Sequence, residues 1–178
     1  MVSPDVRSRS LPSADPSRAG TAGHGAADRC RLVTTQAELE THLAIRQEVF
    51  VREQSIFAGS DLDERDGDDR TLHVLGFADG KPAGTVRLYP LDEPGLWKGD
   101  RLAVLGAHRH RHLGAPLVRF AVRTAAERGG RQMVAYVQPA AVLFFQQLGW
   151  QTVGGPTEYC GRPHQRMVID LEPWRRRG

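Results

Sequence analysis

Cysteine is nearly absent: the 178 residues include only Cys30 and Cys160. Two thiols cannot form the disulfide framework that holds small secreted domains together. Long apolar runs are missing too. The longest are stretches such as Val142-Leu143-Phe144-Phe145, far below the roughly 20 residues a membrane-spanning helix needs. No apolar segment follows the arginines near the N-terminus, as a secretory leader requires. A cytoplasmic protein without a membrane partner is therefore expected. Serine is scarce beyond the first residues. After Ser17 only Ser55 and Ser60 occur, neither within Gly-x-Ser-x-Gly, which excludes a serine hydrolase of that type. Neither charge sign dominates, with 24 Lys and Arg against 21 Asp and Glu. Basic runs exist at 108–112 and 175–177. They are not interleaved with aromatics and match no zinc-finger or helix-turn-helix spacing, so no nucleic-acid partner is expected.

What is present begins at about residue 29. Residues 1–28 are rich in Ser, Pro, Gly and Ala, a composition that cannot offset its ordering entropy by burial, and are read as a disordered tail. Asp5, Asp15 and Asp28 balance Arg7, Arg9 and Arg18, which argues against a transit peptide. Residues 29–174 have the length of one domain, and 175–178 form a basic tail. Strands are expected at 30–33, 72–77, 85–89, 101–105, 133–137, 150–153 and 165–171. Helices are expected at 36–53, 113–128 and 140–148. Thr35 with Glu38 makes a capping box for the first helix, and Asp79-Gly80 marks a hairpin. Lys98-Gly99-Asp100 reads as the turn entering the fourth strand, and Gly129-Gly130 ends the second helix. The order β-α-β-β-β-α-β-α-β-β gives an α/β (α+β) chain with a mixed sheet and helices on its faces.

One segment carries chemistry. The apolar strand at 101–105 leads through Gly106-Ala107-His108-Arg109-His110-Arg111-His112 into Leu113-Gly114-Ala115-Pro116. A helix start offers unpaired N–H groups and the positive end of the macrodipole. Gly114 and Ala115 allow close approach, Pro116 is tolerated in a first turn, and Arg109 and Arg111 add charge. By these properties the segment is either a phosphate cradle or a plain surface loop before a capped helix. The alternating histidines lack a Cys or carboxylate at ligand spacing, so no metal is expected. The acidic run 61–70 places Asp66 where a calcium loop needs glycine. That run either attracts a cationic acceptor or is a solvated turn. Arg46 and Glu53 share a helical side with Phe50 and either line a pocket or pair with the acidic run.

Leu102-Ala103-Val104 followed by Arg109 to Ala115 resembles the acetyl-CoA motif of the GNAT N-acetyltransferases, Gln/Arg-x-x-Gly-x-Gly/Ala, with His112 at the first glycine. Gln138 to Trp150 resembles their second cofactor segment. Arg46-x-x-Val49-Phe50-Val51-x-Glu53-Gln54, Asp61-x-Asp63, Asp66, His73 and Gly161 to Met167 resemble the ElaA-like branch of that family. These motifs run from about residue 44 to 168. The resemblance implies a mostly antiparallel mixed sheet of about 6–7 strands with helices on both faces. It implies transfer of an acetyl group from acetyl-CoA, as acyl donor, to a small amine by direct attack on the thioester. The donor would contact Leu102, Ala103, Val104, Arg109, His110, Arg111, His112, Leu113, Gly114, Ala115, Gln138 and Phe145. The acceptor would meet Arg46, Phe50 and Glu158. Phe145 stands where relatives carry a proton-donating tyrosine, so the acid and base candidates become Tyr159, His164 and Glu53, with Cys160 and Glu158 in reserve. A homodimer is left open. Two alternatives stand beside this reading. One is an autoinducer-synthase relative, which Thr85 to Pro90 also resembles; the other is a non-catalytic CoA-binding module.

Overall fold

A computed structural model describes residues 29–175. The expectation of a disordered tail at 1–28, and most of the basic tail, lie outside the described residues.

The capping box predicted for the first helix forms. The Thr35 hydroxyl accepts from the Glu38 N–H at 3.2 Å, and the Glu38 carboxylate accepts from the Thr34 N–H at 2.8 Å and the Thr35 N–H at 3.3 Å. Helix α1 then spans Gln36–Arg46. Instead of continuing as one α-helix to Glu53, the chain widens into a π-helical segment, Gln47–Glu53, with the Gln54 N–H bonded to the Val49 carbonyl at 2.9 Å. Apolar steps of three and four residues read alike for both helix types. The wider turn lays Val49 and Phe50 against Ala103 in a small second core. The buried stripe of α1 is His42, Ile45 and Arg46, and Arg46 on it meets a buried acidic cluster.

Seven strands make one sheet: β1 Cys30–Leu32, β2 Leu72–Ala78, β3 Lys81–Pro90, β4 Leu96–Val104, β5 Gln132–Val137, β6 Gln151–Tyr159 and β7 Arg162–Asp170, in the order β1-β2-β3-β4-β5-β7-β6. Every pairing is antiparallel except β4 with β5. This is the sheet the resemblance implies. Asp79 and Gly80, both at positive φ, form the β2–β3 turn as the sequence predicts. Helix α2, Gly114–Glu127, covers one face through Leu113 and Leu117. They approach so closely that a Cβ on Gly84 would lie 2.9 Å from Leu117 and from the Ala103 carbonyl. Helix α1 and the π-helical segment cover the other face. The alternation shows in β4, where Leu102 and Val104 join the main core and Ala103 meets Val49 and Phe50. Helix α3, Val142–Gln147, follows a short 3-10 turn.

Two strands differ from expectation. Lys98-Gly99-Asp100 is not a turn. These residues pair with Tyr89, Leu88 and Arg87, and the irregularity falls one residue later, where Arg101 has φ of 52°. That bulge re-aims the strand next to the site. β6 does not stop at Val153. It runs through Gly154-Gly155-Pro156 to Tyr159 with a register shift, which an edge strand tolerates.

Candidate active site

β4 and β5 pair only from Leu96–Lys98 to Gln132–Val134. Beyond Lys98 the two strands diverge, and that edge of β4 has no strand partner among the described residues. A cleft of about 270 Å³ passes through the gap. Toward α2 its wall is apolar: Leu102, Val118, Met133, Phe145 and Trp150. Toward α1 it is aromatic: Phe50, Phe57, Tyr136 and Tyr159, with His164 beside them.

The predicted cradle stands at the start of α2. Gly106–Arg111 is a 3-10 turn, and no side chain caps the first turn of α2. His112, at the position where the motif has glycine, adopts the left-handed conformation, φ 53° and ψ 40°, with its side chain exposed. Glycine suits that backbone, and this chain holds a histidine in it. A Cβ on Gly114 would lie 3.3 Å from the Phe144 ring. Arg109 pairs with Glu53, and Arg111 pairs with Asp79 at 2.8 Å while its carbonyl accepts from Arg29 at 2.8 Å. Gln138 lines the cleft and donates to Gln54 at 3.3 Å. Phe145 packs edge-on against Trp150, with ring centroids 5.4 Å apart, and forms apolar wall.

The acceptor-side expectations divide. Phe50, Tyr159 and His164 line the cleft. Arg46 does not: it is fully buried, donating to Asp61 at 2.8 Å and to Asp66 at 2.5 and 3.0 Å. It ties α1 to the acidic run, so its placement against a substrate is corrected. Glu158 is exposed on the edge strand β6 and lies away from the cleft wall, because β6 continues past the point where a loop was expected. Glu53 stands outside that wall as well, held by Arg109. His164 is buried, with Nδ1 2.9 Å from the Arg162 carbonyl. A carbonyl only accepts, so Nδ1 carries a proton, and in the neutral tautomer that this contact selects Nε2 is the acceptor. Cys160 lies at the rim in the left-handed turn residue between β6 and β7.

Several residues of the site escaped the sequence reading. Arg87, fully buried, donates to Asp100 at 2.8 and 2.9 Å and to Asp63 at 2.6 and 2.8 Å, and reaches Asp66 at 2.9 Å. Arg101 donates to Asp63 at 3.0 Å and stands over the Phe57 ring. Burial alone would raise the carboxyls of Asp63 and Asp66, but Arg87 and Arg46 respectively hold them below the usual range. Tyr89 is pushed up to about 12 by burial and by Asp100. Lys98 and Tyr136 were missed because one was assigned to a turn and the other to a buried strand. The Lys98 ammonium donates to the Tyr159 oxygen at 3.2 Å, and Tyr159 stacks on Tyr136 with centroids 4.9 Å apart. Burial would lower Lys98, but Tyr159 and Tyr89 more than offset it and keep its pKa raised. A tyrosine at the equivalent of Phe145 is therefore not the only phenol that can reach such a cleft.

Among the described residues no group of three or more His, Cys, Asp or Glu stands ready to hold a metal, and no helix is long and apolar enough to cross a membrane. The model of the acetyltransferase (GNAT) family matches residues 36–150. The uncharacterized N-acetyltransferase YjcF of Bacillus subtilis is 28% identical over 141 residues, which are 78% of this chain and 97% of that protein. Among solved structures, an acyl-CoA N-acyltransferase from Pseudomonas aeruginosa superimposes with a TM-score of 0.67 at 27% identity, covering 78% of this chain and 95% of its own. Escherichia coli ElaA shares the fold, with a TM-score of 0.69 at 23% identity over 78% and 97% of the two chains. The matched span runs from α1 through the cradle at 109–115 to Trp150 and includes most of the cleft wall, while Tyr159, Cys160 and His164 follow it. The chain accordingly belongs to the acetyltransferase (GNAT) family of acyl-CoA-dependent N-acyltransferases.

Proposed function

We propose that this protein moves an acetyl group from acetyl-CoA to the amino group of a small molecule within the cleft between β4 and β5. One observation carries the reading. The gap lies between Val118 and Ala121 of α2, the helix whose uncapped start suits phosphate, and an aromatic chamber on the other side of the sheet. A long thioester and a separate amine then meet from two sides, and much of the rate comes from holding them together.

The residues present fit the donor. The N–H groups at the start of α2, with Gly114 and Ala115 unobstructive, would hold its pyrophosphate. Arg109 and Arg111 would exchange their carboxylate partners for phosphate oxygens. The free edge of β4 from Leu102 to Val104 offers main-chain groups to the pantetheine arm, and a main-chain N–H there would face the oxygen on which charge develops. When bound, the donor supplies an activated acyl carbon and a thiolate leaving group. The amine enters from the side of Phe50, Phe57 and Tyr136. His164 Nε2 accepts the proton that the attacking nitrogen loses, and Tyr159 supplies the proton that the departing sulfur takes up. Phe145, lacking a hydroxyl, shapes the wall. An enzyme that uses acetyl-CoA and keeps two free thiols belongs in the reducing cytoplasm.

Thiol release from acetyl-CoA in the presence of a panel of primary amines tests the reading, with binding of acetyl-CoA measured in parallel. Gly114→Asp adds a carboxylate at the helix start, beside Phe144, and should weaken acetyl-CoA binding about tenfold or more. A folded Gly114→Asp protein that binds acetyl-CoA like the parent would show that the cradle is misplaced.

A further inference from the structure

Resting on that reading, we infer that Lys98 is a positioning residue for proton delivery, holding the Tyr159 hydroxyl in the orientation the departing sulfur needs. Lys98 lies on β4 just where β5 parts from it. It is half-buried, yet among the described residues it forms no ion pair. The nearby carboxylate of Asp100 accepts instead from Arg87 at 2.8 and 2.9 Å and from the Tyr89 hydroxyl at 3.3 Å. The Lys98 ammonium instead donates to the Tyr159 oxygen at 3.2 Å and sits 4.7 Å from the Tyr159 ring centroid and 5.3 Å from that of Tyr136. A half-buried ammonium without a carboxylate is a costly way to hold a strand. Ring faces and one phenol oxygen are its compensation.

The geometry dictates where the phenol proton goes. An ammonium has donors only, so in this hydrogen bond the Tyr159 oxygen must accept. Its own hydrogen is then directed away from Lys98. Stacking on Tyr136, with 10° between the rings, and the edge of His164 at 5.4 Å fix the ring itself. Tyr89, Asp100, Tyr136, Tyr159 and His164 are the titratable groups around this pair, and only Tyr136, Tyr159, Asp100 and His164 line the cleft.

The step balances as follows. The amine nitrogen bonds to the thioester carbonyl carbon, and the carbon–sulfur bond breaks with its electron pair on sulfur. The nitrogen gives one proton to His164 Nε2, and sulfur receives one from the Tyr159 oxygen. As that proton leaves, negative charge grows on the oxygen that Lys98 already faces, and the ammonium stabilises it. Return of a proton from His164 to Tyr159 through solvent restores both side chains. Nothing is oxidised or reduced.

Turnover is measured with acetyl-CoA and the most active amine of the panel, for the parent and for Tyr159→Phe, Lys98→Met, Lys98→Arg and the double variant Lys98→Met/Tyr159→Phe. Tyr159→Phe should lower kcat about 10²-fold, and Lys98→Met about tenfold, with both KM values within about twofold. Lys98→Arg should recover most of the loss. The double variant should be no slower than Tyr159→Phe alone, because Lys98 acts only through that hydroxyl. Lys98→Met turning over like the parent would overturn the inference. So would a double variant whose loss is the product of the two single losses, or a loss that follows a fall in Tm and that arginine does not recover. Full activity in Tyr159→Phe would remove the roles of both residues and leave acetyl transfer standing. A parent that binds acetyl-CoA but releases no thiol whichever amine is added would bring down the transfer reading, and this inference with it.

Discussion

Arginines meet carboxylates in two parts of this molecule, and they do different work there. Beneath α1, Arg46, Arg87 and Arg101 interlock with Asp61, Asp63, Asp66 and Asp100. The arginine side chains are 0%, 0% and 7% exposed, and each touches at least two carboxylates. At the mouth of the cleft, Arg109 and Arg111 are each 49% exposed and have a single carboxylate partner each, Glu53 and Asp79. A buried lattice cannot open without stranding a charge in a poor solvent, a loss of about 3–5 kcal/mol. An exposed pair is worth about 0–1 kcal/mol. The first arrangement is permanent and the second exchangeable. Permanence suits the acceptor wall, because the lattice fixes the bulge at Arg101 that opens the strands. Exchange suits a loop that must trade carboxylate for phosphate.

The largest effect should come from breaking the lattice at its centre. Arg87→Met removes the donor shared by Asp63, Asp66 and Asp100 and leaves buried carboxylates facing one another. Thermal unfolding should move down by about 10 °C, the shift that about 3–5 kcal/mol produces in a chain of this size. A change of one or two degrees would mean that the lattice is ornamental and that the contrast between the two regions is wrong.

The fold was largely legible because local signals agreed with one another. The Thr35–Glu38 box, Asp79-Gly80 and Gly129 each mark an end that the structure keeps. The cradle was legible as a short motif within one strand–loop–helix. The split between β4 and β5 was not. Lys98-Gly99-Asp100 carries turn composition, and only pairing with β3 makes it strand. The lattice drew its members from α1, the acidic run, β3 and β4, and no spacing within one segment announces such an assembly. Arg46 illustrates the limit: its helical side was read correctly, but whether that side met substrate or aspartates depended on a loop fifteen residues away. Lys98, Tyr136 and Tyr159 meet across three strands, a proximity fixed by register alone.

A smaller effect, spread over pH, separates the lattice region from the surface loop. His42 of α1 stands against His73, with ring centroids 4.8 Å apart. Burial, then His73 and Arg46, pushes it down to about 3. Above its ordinary value of 6.5 the ring is neutral folded and unfolded, and contributes nothing to pH dependence. As pH falls below that value the unfolded chain takes up a proton that the folded one refuses, so stability declines progressively toward pH 3. Asp63 and Asp66 act on a lower window. Their depressed values stabilise the fold above the ordinary carboxyl range, and this is lost as pH falls through it. Urea midpoints should therefore begin to drop near pH 6.5, ahead of the carboxylates, and His42→Leu should shrink that early limb while leaving the later one, the remainder belonging to His73, whose ring burial also holds down. An early limb of unchanged size in His42→Leu would assign it to other groups.

The smallest effect is also the most direct probe of exchangeability. Glu53 competes with phosphate for Arg109, because the guanidinium that would meet the pyrophosphate is held by that carboxylate. Replacing the carboxylate with an amide keeps the size and removes the competing charge. Glu53→Gln should leave Tm within about 2 °C, since an exposed pair contributes no more than about 1 kcal/mol. It should tighten acetyl-CoA two- to threefold, on the order of 0.5 kcal/mol, and the gain should shrink in high salt, where a surface charge is screened. Were Glu53 instead a base acting on the amine, the same substitution would depress kcat and leave acetyl-CoA affinity unchanged. Isothermal titration with acetyl-CoA beside steady-state turnover distinguishes the two, because exchange predicts a change in affinity and catalysis predicts a change in rate.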